Sequence, residues 1–210
     1  HGNVDALQAV LDDIAQQGAD KVVNLGDCLS GPLAARETAD LLMAADILTI
    51  RGNHDRSLVE QPVERMGPSD RTAYEALDQV HLDWLAGLPA TARIWGDVFL
   101  CHGTPGSDVT YWLEQVLADG SVGLRPLDGI AAEANGVTAG LILCGHTHLP
   151  RMITLPGGQV IVNPGSVGCP AYTDDQPVPH LMQSGTPCAS YALIDRTQRG
   201  WSVSFRLVPY

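Results

Sequence analysis

The sequence lacks features that several large function classes require. No apolar run is long enough to cross a bilayer, so a membrane-spanning role is not expected. Positive charge is scarce: 12 Lys and Arg stand against 24 Asp and Glu, a formal net charge of −12. Such a surface repels nucleic-acid backbones and anionic membranes, which disfavours binding to long nucleic acids. Bound divalent cations would still make one pocket locally positive. There is no CxxC pair among the five scattered cysteines, Cys28, Cys101, Cys144, Cys169 and Cys188. Their odd number and spacing argue for free thiols in a reducing cytoplasm, against a disulfide frame or a thiolate zinc cluster. Internal repeats and low-complexity linkers are absent as well. With 45% hydrophobic and 17% charged residues, a single globular domain over residues 1–210 is expected. The chain opens on His1 with neither a methionine nor an apolar lead-in, which reads as a fragment lacking its first few residues.

What is present alternates between two periods. Apolar residues at Leu7, Val10, Leu11 and Ile14 have the spacing of one helical face, so residues 4–17 are expected to be a helix, with Asn3 as N-cap and Gly18 as stop. Short apolar runs at residues 21–25 and 47–50 read as strands on either side of a helix at 33–45, the α/β pattern. Residues 56–87 read as amphipathic helix, divided at Pro62, Gly67 and Pro68. Hairpins are expected over 92–100, 151–162 and 190–208, a short helix over 130–135 and a buried strand over 140–144. The Gly- and Pro-rich stretch 104–128 is expected to form an excursion over the site, and 174–187 a mobile, turn-rich loop.

The chemistry gathers at the strand ends. Polar donors, mostly flanked by glycine, occur at His1-Gly2-Asn3, Gly26-Asp27, Gly52-Asn53-His54-Asp55, His102-Gly103 and Gly145-His146-Thr147-His148. Ligands of open α/β sheets sit at the carboxyl ends of strands, where glycines let side chains converge. On an extended segment His146 and His148, two residues apart, point to one side. A mixed His, Asp and Asn donor set suits two divalent cations of the Mn, Fe, Zn or Ni type better than a thiolate zinc site.

In this order the motifs resemble the calcineurin-like metallophosphoesterases, whose pattern is D-x-H, G-D, G-N-H-D/E, a lone H and G-H-x-H. His1-Gly2-Asn3 is similar to the tail of the first motif as small bacterial phosphodiesterases write it, D-x-H-G-N. Asn163-Pro164-Gly165-Ser166 is similar to their N-P-G-S loop. The resemblance implies a four-layer α/β/β/α sandwich of two mixed β-sheets flanked by helices. It also implies two divalent metal ions (Mn favoured; Fe, Zn, Ni or Mg the others). Asp27 would bridge them, with Asn53, His102 and His146 completing one site and His1 and His148 serving the other. The Asp two positions before His1 in the family pattern is not in this chain, so one site is a ligand short, and the first strand of the sheet is expected to lie outside the sequence.

The implied reaction is hydrolysis of a phosphodiester or phosphomonoester of a small molecule, nucleotides included, by a cytoplasmic enzyme for which a homo-oligomer stays open. His54 is placed beside Asn53 to protonate a leaving oxygen, with Asp55 orienting its imidazole. Arg51 is a candidate phosphate contact, with a salt bridge at a strand end as the alternative. Two further readings belong with it: a hydrolase of the diadenosine tetraphosphatase kind, and a scaffold like the retromer subunit that resembles these enzymes without the catalytic histidine. Retention of His54 argues against the scaffold. Elsewhere, His81 reads as a surface or packing histidine and His180 as a solvent one. Cys28 and Cys144 read as small buried residues, and Asn163 and Ser166 as residues that orient His148 or line the site.

Overall fold

Apolar side chains at every second residue divide three short strands between two faces of one sheet. Phe99 and Cys101, Ile142 and Cys144, and Ile161 face one way, with Trp112, Ile130 and Ala134 packed over them. Val98 and Leu100, Leu141 and Leu143, and Val160 and Val162 face the other, against Val23, Leu25, Ile194 and Trp201. This period of two, with both faces buried, is what a central sheet between two covers requires.

The computed structural model describes residues 1–45 and 47–210. In chain order the elements are α1 (Val4–Gln17), β1 (Val23–Asn24), α2 (Ala35–Ala44), β2 (Leu48–Thr49), α3 (Asn53–Glu60), a 3-10 turn (Val63–Arg65), α4 (Pro68–Ala76), α5 (Gln79–Gly87), β3 (Thr91–Ile94), β4 (Val98–Cys101), β5 (Glu114–Val116), β6 (Val122–Leu124), α6 (Leu127–Glu133), β7 (Leu141–Leu143), β8 (Arg151–Thr154), β9 (Val160–Asn163), β10 (Ala171–Asp174), β11 (His180–Gln183), β12 (Ala189–Thr197) and β13 (Gly200–Val208). The main sheet has the order β3-β4-β7-β9-β8. Its three inner strands are parallel, with Val98 opposite Leu141 and Leu141 opposite Val160, and both edge strands are antiparallel. Helix α6 covers one face. On the other lie the parallel pair β1-β2 and the antiparallel pair β12-β13, covered in turn by α1 and α2, which completes the α/β/β/α layering.

Helix α1 begins and ends where its sequence says. The Asn3 side chain accepts from the Ala6 amide, and Gly18 closes the helix in the left-handed conformation. The helical stretch after β2 breaks at Pro62 and Gly67-Pro68, as its prolines dictate, but starts earlier than its periodicity suggests. Asn53, His54 and Asp55 form the first turn of α3 rather than a loop. Two other expectations are corrected. The excursion after His102 contains the hairpin β5-β6, and residues 174–187 carry much of the hairpin β10-β11 instead of a mobile loop. Alternate side chains of β11, His180 and Met182, are buried, which anchors that hairpin on the domain.

Candidate metal centre

The parallel strands β4, β7 and β9 end on one side, and so do β1 and β2. Their following residues therefore meet at one edge of the sandwich. Asp27 sits at the middle. It is buried, with φ of 56°, and its Oδ1 accepts from the His54 amide at 2.9 Å. Its Oδ2 lies 3.0 Å from Nε2 of His102 and 3.8 Å from Nε2 of His1. The close approach of the two loops depends on glycine. A Cβ on Gly26 (φ +93°) would stand 2.4 Å from the Gly52 nitrogen, and one on Gly52 would stand 2.2 Å from Asp27 Oδ1.

Two groups of donors share that carboxylate. Asp27, His102 and His146 form one, and His1, Asp27 and His148 the other; the donor atoms of each lie within 4.8 Å of one another. His146 and His148 thus fall in different groups, the division that the family resemblance implied, although an extended segment would have pointed both to one side. Both adopt left-handed backbone, with φ of 67° and 60°, so the chain turns at each and the period of two does not apply. With Asp27 they are three of the four non-glycine residues in that conformation among the described residues, and together they mark a place where the surroundings hold strained backbone. Asn163 supplies part of that hold: its amide nitrogen donates to Gly145 O at 2.7 Å and to Thr147 Oγ1 at 2.9 Å. Ser166 instead accepts from the Cys169 amide, keeping the neighbouring turn.

The donor chemistry fits divalent cations. Asn53 Oδ1 and His146 Nε2 are buried atoms with no hydrogen-bond partner, an arrangement that costs free energy unless something binds them. Nδ1 of His102 donates to Leu25 O at 2.6 Å, which orients the ring with Nε2 toward Asp27. Burial pushes His146 down to about 4, aided by His102, and His148 down to about 3, so both rings are neutral and able to ligate at neutral pH. Burial works to raise the Asp27 carboxyl, but His102 and the other imidazoles override it and hold the group far below the ordinary carboxylate range. His102 is the converse case, raised by Asp27 against its own burial.

His54 stands at the mouth, with about a third of its side chain exposed (36%), and its ring is 5.5 Å from that of His1, edge-on. Burial favours its neutral form, yet a hydrogen bond to Asp70 and the nearby carboxylates raise it to about 9. Here a site expectation is corrected. Asp55 does not orient His54, because its two oxygens are taken by the amides of Asp27, Cys28 and Gly52 at 2.7–2.9 Å. Asp70 of α4 takes that place, its Oδ1 2.7 Å from His54 Nδ1. For Arg51 the salt-bridge alternative holds in place of the phosphate contact. Its guanidinium pairs with Glu60, at the end of α3 remote from Asn53 and His54.

Two tyrosines from elements that gave no functional signal line the same edge. The Tyr111 ring is 5.1 Å from that of His146, and the Tyr172 ring 4.8 Å from that of His148. His180 is buried, not solvated, with Nε2 3.2 Å from the Tyr111 hydroxyl. Arg56 makes a bidentate pair with Asp108 and ties the Tyr111 loop to α3. His81 is buried as the partner of the Asp78 amide and of Asp40, the packing half of its expectation. Cys28 and Cys144 are buried, and burial raises both thiols well above their ordinary range.

Comparison with known proteins gives one consistent answer. The family model for the calcineurin-like phosphoesterase superfamily domain matches residues 1–182. A metallophosphoesterase from Sphaerobacter thermophilus superposes with a TM-score of 0.72 at 27% identity, covering 100% of this chain and 85% of that one. The hypothetical protein PH1004 from Pyrococcus horikoshii OT3 gives 0.73 at 19% identity, covering 100% and 84%, a likeness of fold. The protein MJ0912 of Methanocaldococcus jannaschii is 25% identical over 93% of this chain and 79% of its own length.

Proposed function

Since the chain belongs to the calcineurin-like phosphoesterase superfamily, we propose that it is a dimetal phosphoesterase acting on phosphodiesters or phosphomonoesters of small molecules. The observation that carries this reading is the single buried carboxylate of Asp27 shared by two donor groups. His1 and His148 would hold one divalent cation with Asp27, and His102, His146 and Asn53 the other. Such a pair of cations, when bound, acidifies water and neutralises charge on phosphoryl oxygens. With imidazole nitrogens and carboxylate or amide oxygens but no thiolate, the set suits Mn, Fe, Zn or Ni, and Mn is the first to test.

The chain's own residues supply the rest. Asp70 holds Nδ1 of His54 and favours the protonated ring, which leaves Nε2 to give its proton to the leaving oxygen. Asp55 fixes the amides of Asp27 and Gly52, and so sets the distance between the bridging carboxylate and the start of α3. Tyr111 and Tyr172 pack against His146 and His148 and limit the freedom of both rings. The acidic chain, net −12, favours small substrates over long nucleic acids.

Hydrolysis of a p-nitrophenyl phosphodiester by Mn²⁺-loaded protein tests the proposal. Turnover should require the metal and fall by about 10²–10⁴-fold in His54→Ala, the range of a general acid. Metal-loaded protein without turnover on phosphodiesters and phosphomonoesters alike would overturn it.

A further inference from the structure

Two aromatic side chains border both donor groups. The Tyr111 ring packs on His146 with centroids 5.1 Å apart, and the Tyr172 ring on His148 with centroids 4.8 Å apart. The two meet at His146, whose carbonyl accepts from the Tyr172 hydroxyl at 3.4 Å. Tyr111 comes from the loop before β5 and Tyr172 from β10, so separate elements converge to build one aromatic wall. Neither residue is fully buried, and both leave ring surface at the edge where the donors gather.

The hydroxyl of Tyr111 anchors its ring instead of facing a ligand. Nδ1 of His180 donates to Val178 O at 2.8 Å, which leaves Nε2 for that hydroxyl at 3.2 Å. Asp174 Oδ2 stands 3.3 Å from the same hydroxyl. His180 is buried and Asp174 exposed, so the anchor runs from the inside of the hairpin β10-β11 to its rim. Rings whose polar ends are fixed in this way are in place before a ligand arrives and lose little freedom on contact with it. The same neighbours decide the charge of what can lie there. Asp174 puts a carboxylate at the rim, while Arg56 is paired with Asp108 and Arg151 with the buried Glu114. A second anionic group would therefore meet a negative side chain beside guanidiniums that are already engaged.

We propose that Tyr111 and Tyr172 form a subsite for an uncharged, planar aromatic group carried by the single phosphoryl group of the substrate. The inference rests on the phosphoesterase reading and narrows it. Aryl esters of one phosphate are preferred over alkyl esters, which offer no flat surface to the two rings. They are also preferred over substrates with a further phosphate or carboxylate, which Asp174 repels. His180 and Asp174 are positioning residues in this scheme, because they act on the ligand through Tyr111.

Calorimetric binding of phosphonates to the Mn²⁺-loaded protein tests this, because their P–C bond resists hydrolysis and affinity is read without turnover. Phenylphosphonate should bind about tenfold or more tightly than methylphosphonate, and para-carboxyphenylphosphonate more weakly than phenylphosphonate. The phenyl-to-methyl ratio should fall by about fivefold or more in Tyr111→Leu and in Tyr172→Leu, which keep apolar bulk but not the flat ring. Equal affinity for phenyl- and methylphosphonate in the parent protein, a comparison that needs no variant, would overturn the subsite. So would a ratio that both variants preserve, or binding of the carboxyphenyl compound as tight as that of phenylphosphonate. Binding of neither phenyl- nor methylphosphonate would tell against the phosphoesterase reading itself, and the subsite would fall with it.

Discussion

Nδ1 of His54 and Oδ1 of Asp70 lie 2.7 Å apart, across 16 residues of sequence that include a helix end, a 3-10 turn and a helix start. The carboxylate is buried while the imidazole reaches the mouth, so the bond fixes ring orientation from the protein side and leaves Nε2 free. Asp70→Asn keeps the shape but loses the charge that favours the imidazolium. We expect kcat on a p-nitrophenyl phosphodiester to fall by about 10–100-fold with KM nearly unchanged, as for other residues that orient a catalytic group. A loss of the same size in Asp55→Asn with Asp70 intact, and none in Asp70→Asn, would reverse the assignment.

Gly52 is needed for contact rather than for backbone freedom. Its φ of −92° suits any residue, but a Cβ would stand 2.2 Å from Asp27 Oδ1 and 2.6 Å from the Asp27 nitrogen. Gly52→Ala should destabilise the fold by about 1–3 kcal/mol, the usual cost of overpacking, and weaken binding of Mn²⁺ because the Asp27 carboxylate is displaced. Thermal unfolding with and without Mn²⁺ checks this. A variant with unchanged midpoint and unchanged metal response would show that the loops can separate freely.

The residues that meet at Asp27 were legible because glycine-flanked His, Asp and Asn at strand ends are local patterns, and the short apolar runs Leu141–Leu143 and Val160–Val162 mark buried strands. Asp70 was not legible. It sits in the first turn of α4, where an acidic residue is ordinary for helix stability, and only tertiary packing brings it to His54. The division of His146 from His148 between two groups was implied by the resemblance but not by the local period of two. It depends on two positive φ angles, which non-glycine residues adopt under the compulsion of their surroundings rather than by preference. Tyr111 and Tyr172 lie in stretches whose turn residues masked the hairpin that carries one of them and the loop that carries the other.

The two donor groups are unequal. One is Asp27, His102 and His146, to which the proposed reading adds the unpartnered Asn53 oxygen; the other is His1, Asp27 and His148. The first equivalent of Mn²⁺ should therefore bind beside His146. It should survive His148→Ala and be lost, or weakened by at least tenfold, in His146→Ala. Saturating metal at about 100 times its Kd should stabilise the protein by about 2.7 kcal/mol per site by mass action, removable with chelator. Calorimetric titration of the two variants checks the order, and tighter first binding in His146→Ala than in His148→Ala would contradict it.

Helix α1, which packs over β12 and β13, is tied down by one carboxylate. Asp13 accepts from Arg206 Nε at 2.7 Å and Nη2 at 2.9 Å and from the Tyr191 hydroxyl at 2.7 Å, joining α1 to β13 and β12. Those bonds lower the Asp13 carboxyl to about 2. A folded-state value below the unfolded one stabilises the fold in full above about pH 4, and the contribution fades as pH falls toward 2. Asp13→Asn should therefore unfold at a lower temperature than the parent at pH 7, with the difference shrinking between pH 4 and pH 2. Because the tie is only partly buried, added salt should shrink the difference at pH 7 as well. A difference in thermal midpoint that stays constant down to pH 2 would mean that Asp13 holds α1 by shape alone, and the charge on Arg206 would then have no part in keeping the helix over the sheet.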